Sequence, residues 1–130
     1  YFTKLKYLDI GHNESITDLS FVRDLPDLEV LIIAMNPLGD LTPLADCEKL
    51  EYLELFYSNT DDLSPLAGLK NLKHLNVGHC PYLTDISPIN SLITGMTASA
   101  TPRVTRCSAT RWVMTAWPTP SAGMIRTSNI

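Results

Sequence analysis

Leucines return along this chain at a nearly fixed interval. Leu5, Leu8 and Ile10 are followed by Leu28, Leu31 and Ile33, then by Leu50, Leu53 and Leu55, then by Leu72, Leu75 and Val77. The steps between these sets are 23, 22 and 22 residues. A repeat this short cannot bury its apolar face alone, so neighbouring repeats must stack and share one interior. Within each set the last two apolar residues alternate, which is the period of a short strand. The first strand is expected at about Tyr7 to Asp9. The rest of each unit must bring the chain back. Pro37 and Pro43 lie within one such return, and two prolines so close together argue against a long helix. The expected architecture is an α/β-type solenoid, with short parallel strands on the concave face of an arc and irregular or 3-10 return segments behind them.

Other positions repeat with the leucines. Ile16, Leu19 and Val22 complete the apolar set of the first unit, and Leu83, Ile86 and Ile89 that of the fourth. Cys47 occupies the slot held elsewhere by Leu25 and Leu69, and reads as a small buried apolar residue. Asn13 and Asn36 follow the strands and are expected to turn inward, bonding backbone groups that a tight bend leaves unpaired. Ser58 and Cys80 take the same place in units three and four. Asp18, Asp40, Asp62 and Asp85 recur at steps of 22, 22 and 23 residues. Each precedes an apolar return segment, where a carboxylate caps free N–H groups. A calcium ladder is the competing reading, but each unit supplies one such acid and calcium needs several converging oxygens.

The pattern L-x-x-L-x-L-x-x-N, carried by four consecutive units, resembles the leucine-rich repeat. The unit tails DLTPLA, DLSPLAGL and DISPI resemble the 22-residue repeat of bacterial internalins. The resemblance covers residues 2 to about 93. It implies an arc with a parallel sheet on its inner face, and a role in recognising host or cell-surface proteins. Ser58 and Cys80 depart from the consensus asparagine, which implies weaker local bonding within the same fold. The helical and immunoglobulin-like segments that flank internalin repeats have no counterpart within these 130 residues.

In such an arc the residues between the leucines face outward from the concave side. They form four columns. The first is Tyr7, Val30, Tyr52 and His74, and the second Asp9, Ile32, Glu54 and Asn76. The third is Gly11, Ala34, Phe56 and Gly78, and the fourth His12, Met35, Tyr57 and His79. Folding does not require these positions to be apolar, yet Val30, Ile32, Met35, Tyr52, Phe56 and Tyr57 are. Tyr7, Asp9, Glu54, His74, Asn76 and His79 surround them. An apolar, aromatic centre with a polar rim is the composition of a protein-recognition surface. The simpler account is that these side chains pack on each other, since cross-strand pairs stabilise sheets by ~0.2–1 kcal/mol each.

Several other functions are disfavoured. Residues 1 to 93 hold 14 acids against six bases, a net of -8, while the whole chain is at -4. Such a surface repels nucleic acid and anionic membrane. No apolar run is long enough to insert directly into a bilayer. Cys47, Cys80 and Cys107 form no CxxC motif or disulfide framework. His12 and His79 share a column three units apart, ~14 Å at strand spacing, too far to ligate one metal ion. There is no nucleophile elbow, phosphate loop or HExxH. The expectation is a non-catalytic protein with no cofactor or metal, binding a protein ligand. A structural spacer in a larger surface protein, or an intracellular regulatory scaffold, are the alternatives. Compartment stays open between cell surface and cytoplasm. The chain begins inside a repeat, so its natural N-terminus is expected to lie upstream.

Composition breaks near residue 93. From Thr94 to Ile130 there are four arginines and no Asp, Glu, Lys, Leu or Tyr. The segment RWVMTAW, residues 111 to 117, shows no helical or strand period. A disordered Thr/Ser/Pro linker, a C-terminal cap and a reading-frame slip all account for this tail. The domain division is therefore 1–93 for the repeats and 94–130 for the tail. With no evident shield beyond the fourth unit, Tyr82 and Leu83 are expected to be poorly protected.

Overall fold

Each unit opens with a strand of three residues: β1 (Tyr7–Asp9), β2 (Val30–Ile32), β3 (Tyr52–Glu54) and β4 (His74–Asn76). The computed structural model describes residues 2–94 and, beyond them, the backbone of 105–107 and 111–115. The four strands pair in parallel and in step, so that Leu8, Leu31, Leu53 and Leu75 stand side by side. Alternation sends these leucines to the interior and the flanking residues to the concave face. Leu31 and Leu53 are completely buried, and Leu75 nearly so. They join one core with Leu28, Leu50 and Leu72 before the strands and with Ile33, Leu55 and Val77 after them. Leu5, Leu8, Ile10 and Ile16, in the first coil, are only partly covered.

The return segments are 3-10 turns at Ser20–Asp24, Thr42–Asp46, Ser64–Leu66 and Ser87–Ile89. Pro43, Pro65 and Pro88 sit at the start of the last three. Proline is tolerated there because its missing N–H would be unpaired in any first turn. An aspartate two residues upstream sets each turn. Asp18 accepts a hydrogen bond from the Ser20 N–H, Asp40 from Thr42, Asp62 from Ser64 and Asp85 from Ser87, all at 2.8 Å. The hydroxyls of Ser20, Ser64 and Ser87 donate to the second carboxylate oxygen. These are Asx turns, in which the side chain replaces a backbone acceptor. Capping, the expected role, is what these carboxylates do.

Those bonds favour the charged form, so all four carboxyls are held below the ordinary value of 3.8. The backbone N–H contributes most at Asp18 and Asp85, and the hydroxyl most at Asp40 and Asp62. A depressed folded-state pKa gives stability that is whole above the unfolded-state value and is lost as pH falls through the folded one. The urea midpoint is therefore expected to hold steady down to about pH 5 and to drop below about pH 4. Replacing all four aspartates by asparagine keeps an acceptor for each backbone N–H, gives up the second oxygen that takes the hydroxyl, and removes the titration. An equally steep acid loss in that variant rules the Asx turns out as its source.

Asn36 is buried behind the strands and bonds in four directions. Its Nδ2 donates to the carbonyls of Ile10 at 3.1 Å, Ile33 at 3.1 Å and Ala34 at 3.3 Å, and its Oδ1 accepts from the Ile16 N–H at 3.2 Å. It thus ties the first coil to the second. Asn13 departs from expectation. It is exposed, and its Nδ2 reaches only the Ile10 carbonyl of its own coil, at 2.8 Å. No described coil lies on its outer side. Ser58 and Cys80 are both buried, with Oγ and Sγ 3.2 Å apart, and Cys80 also donates to Leu55 O at 3.4 Å. A hydroxyl and a thiol offer fewer and weaker bonds than an amide, so the ladder thins here while the coil is kept.

The fourth unit corrects one expectation. Leu83 is only 1% exposed, whereas Tyr82 beside it is 61% exposed. The chain goes on into a five-residue helix, α1 (Asn90–Thr94). Two further strands, β5 (Thr105–Cys107) and β6 (Arg111–Thr115), complete a sheet of order β1-β2-β3-β4-β6-β5. Strand β6 runs antiparallel to β4, pairing Leu75 with Met114. The sequence shows no strand period over 111–117. Pairing at an open edge needs only backbone N–H and C=O groups, which apolar alternation does not report. The remainder of the 94–130 tail lies outside the described residues.

Candidate functional site

The in-step pairing brings the first two columns together as read from sequence. Tyr7, Val30, Tyr52 and His74 are lateral neighbours, as are Asp9, Ile32, Glu54 and Asn76. Tyr7 and Asp9 are exposed, and the other six are half-buried. Two of the rim residues have work within their own coil. Asp9 accepts a hydrogen bond from the Gly11 N–H at 3.1 Å, and Asn76 from the Gly78 N–H at 3.0 Å.

The third and fourth columns are not strand residues. They lie in the bend after each strand. Ala34 and Gly78 are buried there, and Phe56 is half-buried. The fourth column, His12, Met35, Tyr57 and His79, has φ of 60°, 60°, 58° and 53°. This left-handed region costs an ordinary L-residue roughly 1–2 kcal/mol. The next coil holds the bend in place: His12 N–H donates to Ala34 O at 2.9 Å, Met35 to Phe56 O at 2.6 Å and Tyr57 to Gly78 O at 3.0 Å. Glycine would sit there without strain, yet the four residues are large. Tyr57 is 49% exposed.

Two aromatic groups stand on this surface. Tyr52 stacks on His74, with ring centroids 4.1 Å apart and planes 6° from parallel. The Tyr52 hydroxyl donates to Glu54, whose other neighbour is His74 Nε2 at 3.8 Å. Nε2 is buried and has no hydrogen-bond partner among the described residues. Burial pushes the His74 pKa down against the opposing pull of Glu54. Burial, and then the bond to Glu54, push the Tyr52 phenol up. His74 is thus less a free rim residue than a ring packed under Tyr52. The second group joins Phe56, Tyr57 and His79. Tyr57 stacks on His79 at 4.8 Å, and Phe56 meets the edges of both, at 4.5 Å and 5.1 Å.

Beside the second group lies an open hollow of about 280 Å³, lined by Glu14, Met35, Asn36, Pro37, Tyr57 and Asn59. Sequence reasoning found Met35 and Tyr57 but missed Glu14, Pro37 and Asn59 as neighbours. A signal for Glu14 was present. The first unit reads NESI from Asn13 to Ile16, where the second reads NPL from Asn36 to Leu38. The extra residue leaves Glu14 at a φ of 55°, its N–H donating to Met35 O at 3.2 Å. Among the described residues, no three His, Cys, Asp or Glu side chains are grouped to hold a metal ion. No described helix is long and apolar enough to cross a membrane.

The sequence pattern described as "Leucine Rich repeats (2 copies)" matches residues 3–46 and again residues 47–91. Internalin C2 (inlC2) from Listeria monocytogenes str. 4b F2365 is similar in structure, with 29% identity and a TM-score of 0.63, over 67% of this chain and 38% of that one. An internalin (inlF) from the same strain shows 36% identity and a TM-score of 0.67, over 70% of this chain and 26% of that one. The chain therefore spans well under half the length of either structure. No curated protein matches it. The repeated leucines, the parallel strands and the match to both halves of the coil stack agree: the chain belongs to the leucine-rich-repeat family, in the internalin-like form of its fold.

Proposed function

We propose that this solenoid recognises another protein through its concave face, centred on Tyr52, Phe56 and Tyr57. Leucine-rich repeats are in general a non-catalytic, protein-binding fold, and this chain is read as a binder and not an enzyme. The observation that carries the reading is the fourth column. Large side chains occupy left-handed backbone where glycine is favoured, and strain kept at a surface position points to use of the side chain. Val30, Ile32 and Met35 extend the apolar area, and Tyr7, Asp9, Glu54, Asn76 and His79 rim it. The likeness to internalins supports a bacterial surface or secreted setting for the full-length protein. That setting is tested separately, by whether the product fractionates with the cell wall and medium or with cytosol.

The binding test pairs two measurements on the full-length protein. Phe56→Ser with Tyr57→Ser is expected to weaken binding of a cross-linked partner by about thirtyfold or more, the size of a central aromatic hot spot. The urea midpoint is expected to stay within a small margin of wild type, because Phe56 is only half-buried, Tyr57 is exposed, and serine keeps the same Cβ in the bend. Undiminished partner capture by a folded double variant sinks the reading and favours a spacer role.

A further inference from the structure

Charge is segregated around the coil. The stretches 7–19, 30–41, 52–63 and 74–86 run from each strand through its bend to the Asx turn, and hold eight acids with no lysine or arginine. All six lysines and arginines of residues 1–93 lie in the complementary stretches, with the other six acids. Four of those bases are paired across coils: Lys6 with Glu29, Lys49 with Asp27, Lys73 with Glu51 and Arg23 with Asp46. One flank of the arc is thus neutral and internally paired. The other, on the bend side of the strands, has a net charge of -8.

The hollow beside Tyr57 opens on that acidic flank. Met35, Pro37 and Tyr57 line it together with Glu14. Among the described residues the Glu14 carboxylate has no hydrogen-bond or ion-pair partner. Further along the same stretches a second hollow of about 310 Å³ is lined by Asp40, Asp61 and Asp62. At about 280 Å³, the first hollow falls just below the ~300–1,000 Å³ of small-molecule sites, a size for one long side chain. An aromatic residue beside an unpaired carboxylate suits a cation that also carries an apolar stem, which is the chemistry of lysine and arginine.

From this geometry we infer that the partner is a protein presenting a basic segment, with one lysine or arginine seated between Met35 and Tyr57 against Glu14. This rests on the protein-recognition reading and specifies its partner. The acidic flank steers the segment to the bend side of the arc, and the neutral flank does not compete.

The test is an NMR titration of the isotope-labelled full chain with a lysine–glycine peptide and a glutamate–glycine peptide of equal length. The lysine peptide is expected to shift the amides of Glu14, Met35, Tyr57 and Asn59 and to leave Asp24, Asp46 and Glu48 unmoved. Glu14→Gln and, separately, Tyr57→Ser are each expected to weaken it about two- to fivefold, as for an exposed ion pair or cation–π contact. Added salt should weaken it further. Equal shifts from the acidic peptide, shifts spread evenly over both flanks, or unchanged affinity in Glu14→Gln each overturn the inference. So does sedimentation with phosphatidylcholine vesicles in the absence of any peptide response. If the full-length partner is lost on Phe56→Ser with Tyr57→Ser but ignores Glu14→Gln and salt, the basic-segment inference falls and the protein-recognition reading stands.

Discussion

Replacing Leu53 by alanine is expected to lower the free energy of unfolding by about 2–5 kcal/mol, the usual cost of a buried Leu→Ala change. Leu53 is completely buried between Leu31 and Leu75. The cavity it leaves is flanked on both sides by strands that are already paired, so the surroundings have little room to collapse. A small domain has only about 5–15 kcal/mol in total. In a stack of four coils each coil touches only its neighbours, so a weak third coil separates the first two from the fourth. Urea unfolding followed by circular dichroism should show a lower midpoint and a less cooperative transition. Leu8→Ala is the control, since Leu8 is only partly covered and its loss should cost distinctly less. If the two variants lose equal stability, the claim that Leu53 sits at the centre of a shared interior is wrong.

Asn36→Ala is expected to be nearly as damaging, by a different route. It removes no large apolar volume. It strips a partner from the carbonyls of Ile10, Ile33 and Ala34 and from the N–H of Ile16. An orphaned buried polar group costs ~1–3 kcal/mol. The Ile10 carbonyl keeps the Asn13 amide and the Ala34 carbonyl keeps the His12 N–H, so the Ile33 carbonyl and the Ile16 N–H are the groups orphaned and the expected loss is about 3 kcal/mol. Ser58→Ala, one coil on, should cost about 1 kcal/mol, because its hydroxyl contacts a single weak partner in Cys80. Hydrogen exchange adds a readout that a general loss of packing does not give. In Asn36→Ala the Ile16 amide should exchange faster than amides of the third and fourth coils. Equal costs for Asn36→Ala and Ser58→Ala would falsify the asparagine ladder as a main tie between coils.

The leucine columns were legible in sequence because burial and spacing are the same fact in a solenoid. Each apolar position recurs with the coil, so spacing alone places Tyr7 to Asp9 as a strand and Leu31, Leu53 and Leu75 as neighbours. The Asx turns were legible too, since an aspartate recurs ahead of each return. The bends were not. Nothing in the letters His12, Met35, Tyr57 and His79 signals a left-handed backbone. At His12, Met35 and Tyr57 that conformation goes with a bond to a carbonyl of the next coil, and glycine, the usual mark, is absent there. The same blindness hid the hollow, whose floor joins residues from adjacent coils. Leu83 is buried because it belongs to the shared core, and the break in composition near residue 93 gives no sign of that.

The bend itself has an evolutionary consequence. Its φ is nearly the same at His12, Met35, Tyr57 and His79, so one backbone shape takes several different side chains. Histidine, methionine and tyrosine have all been accommodated. A mutation at such a corner rewrites the surface that an approaching molecule meets and leaves the winding alone. New specificities can therefore arise by single substitutions, one turn at a time, without first passing through an unstable ancestor.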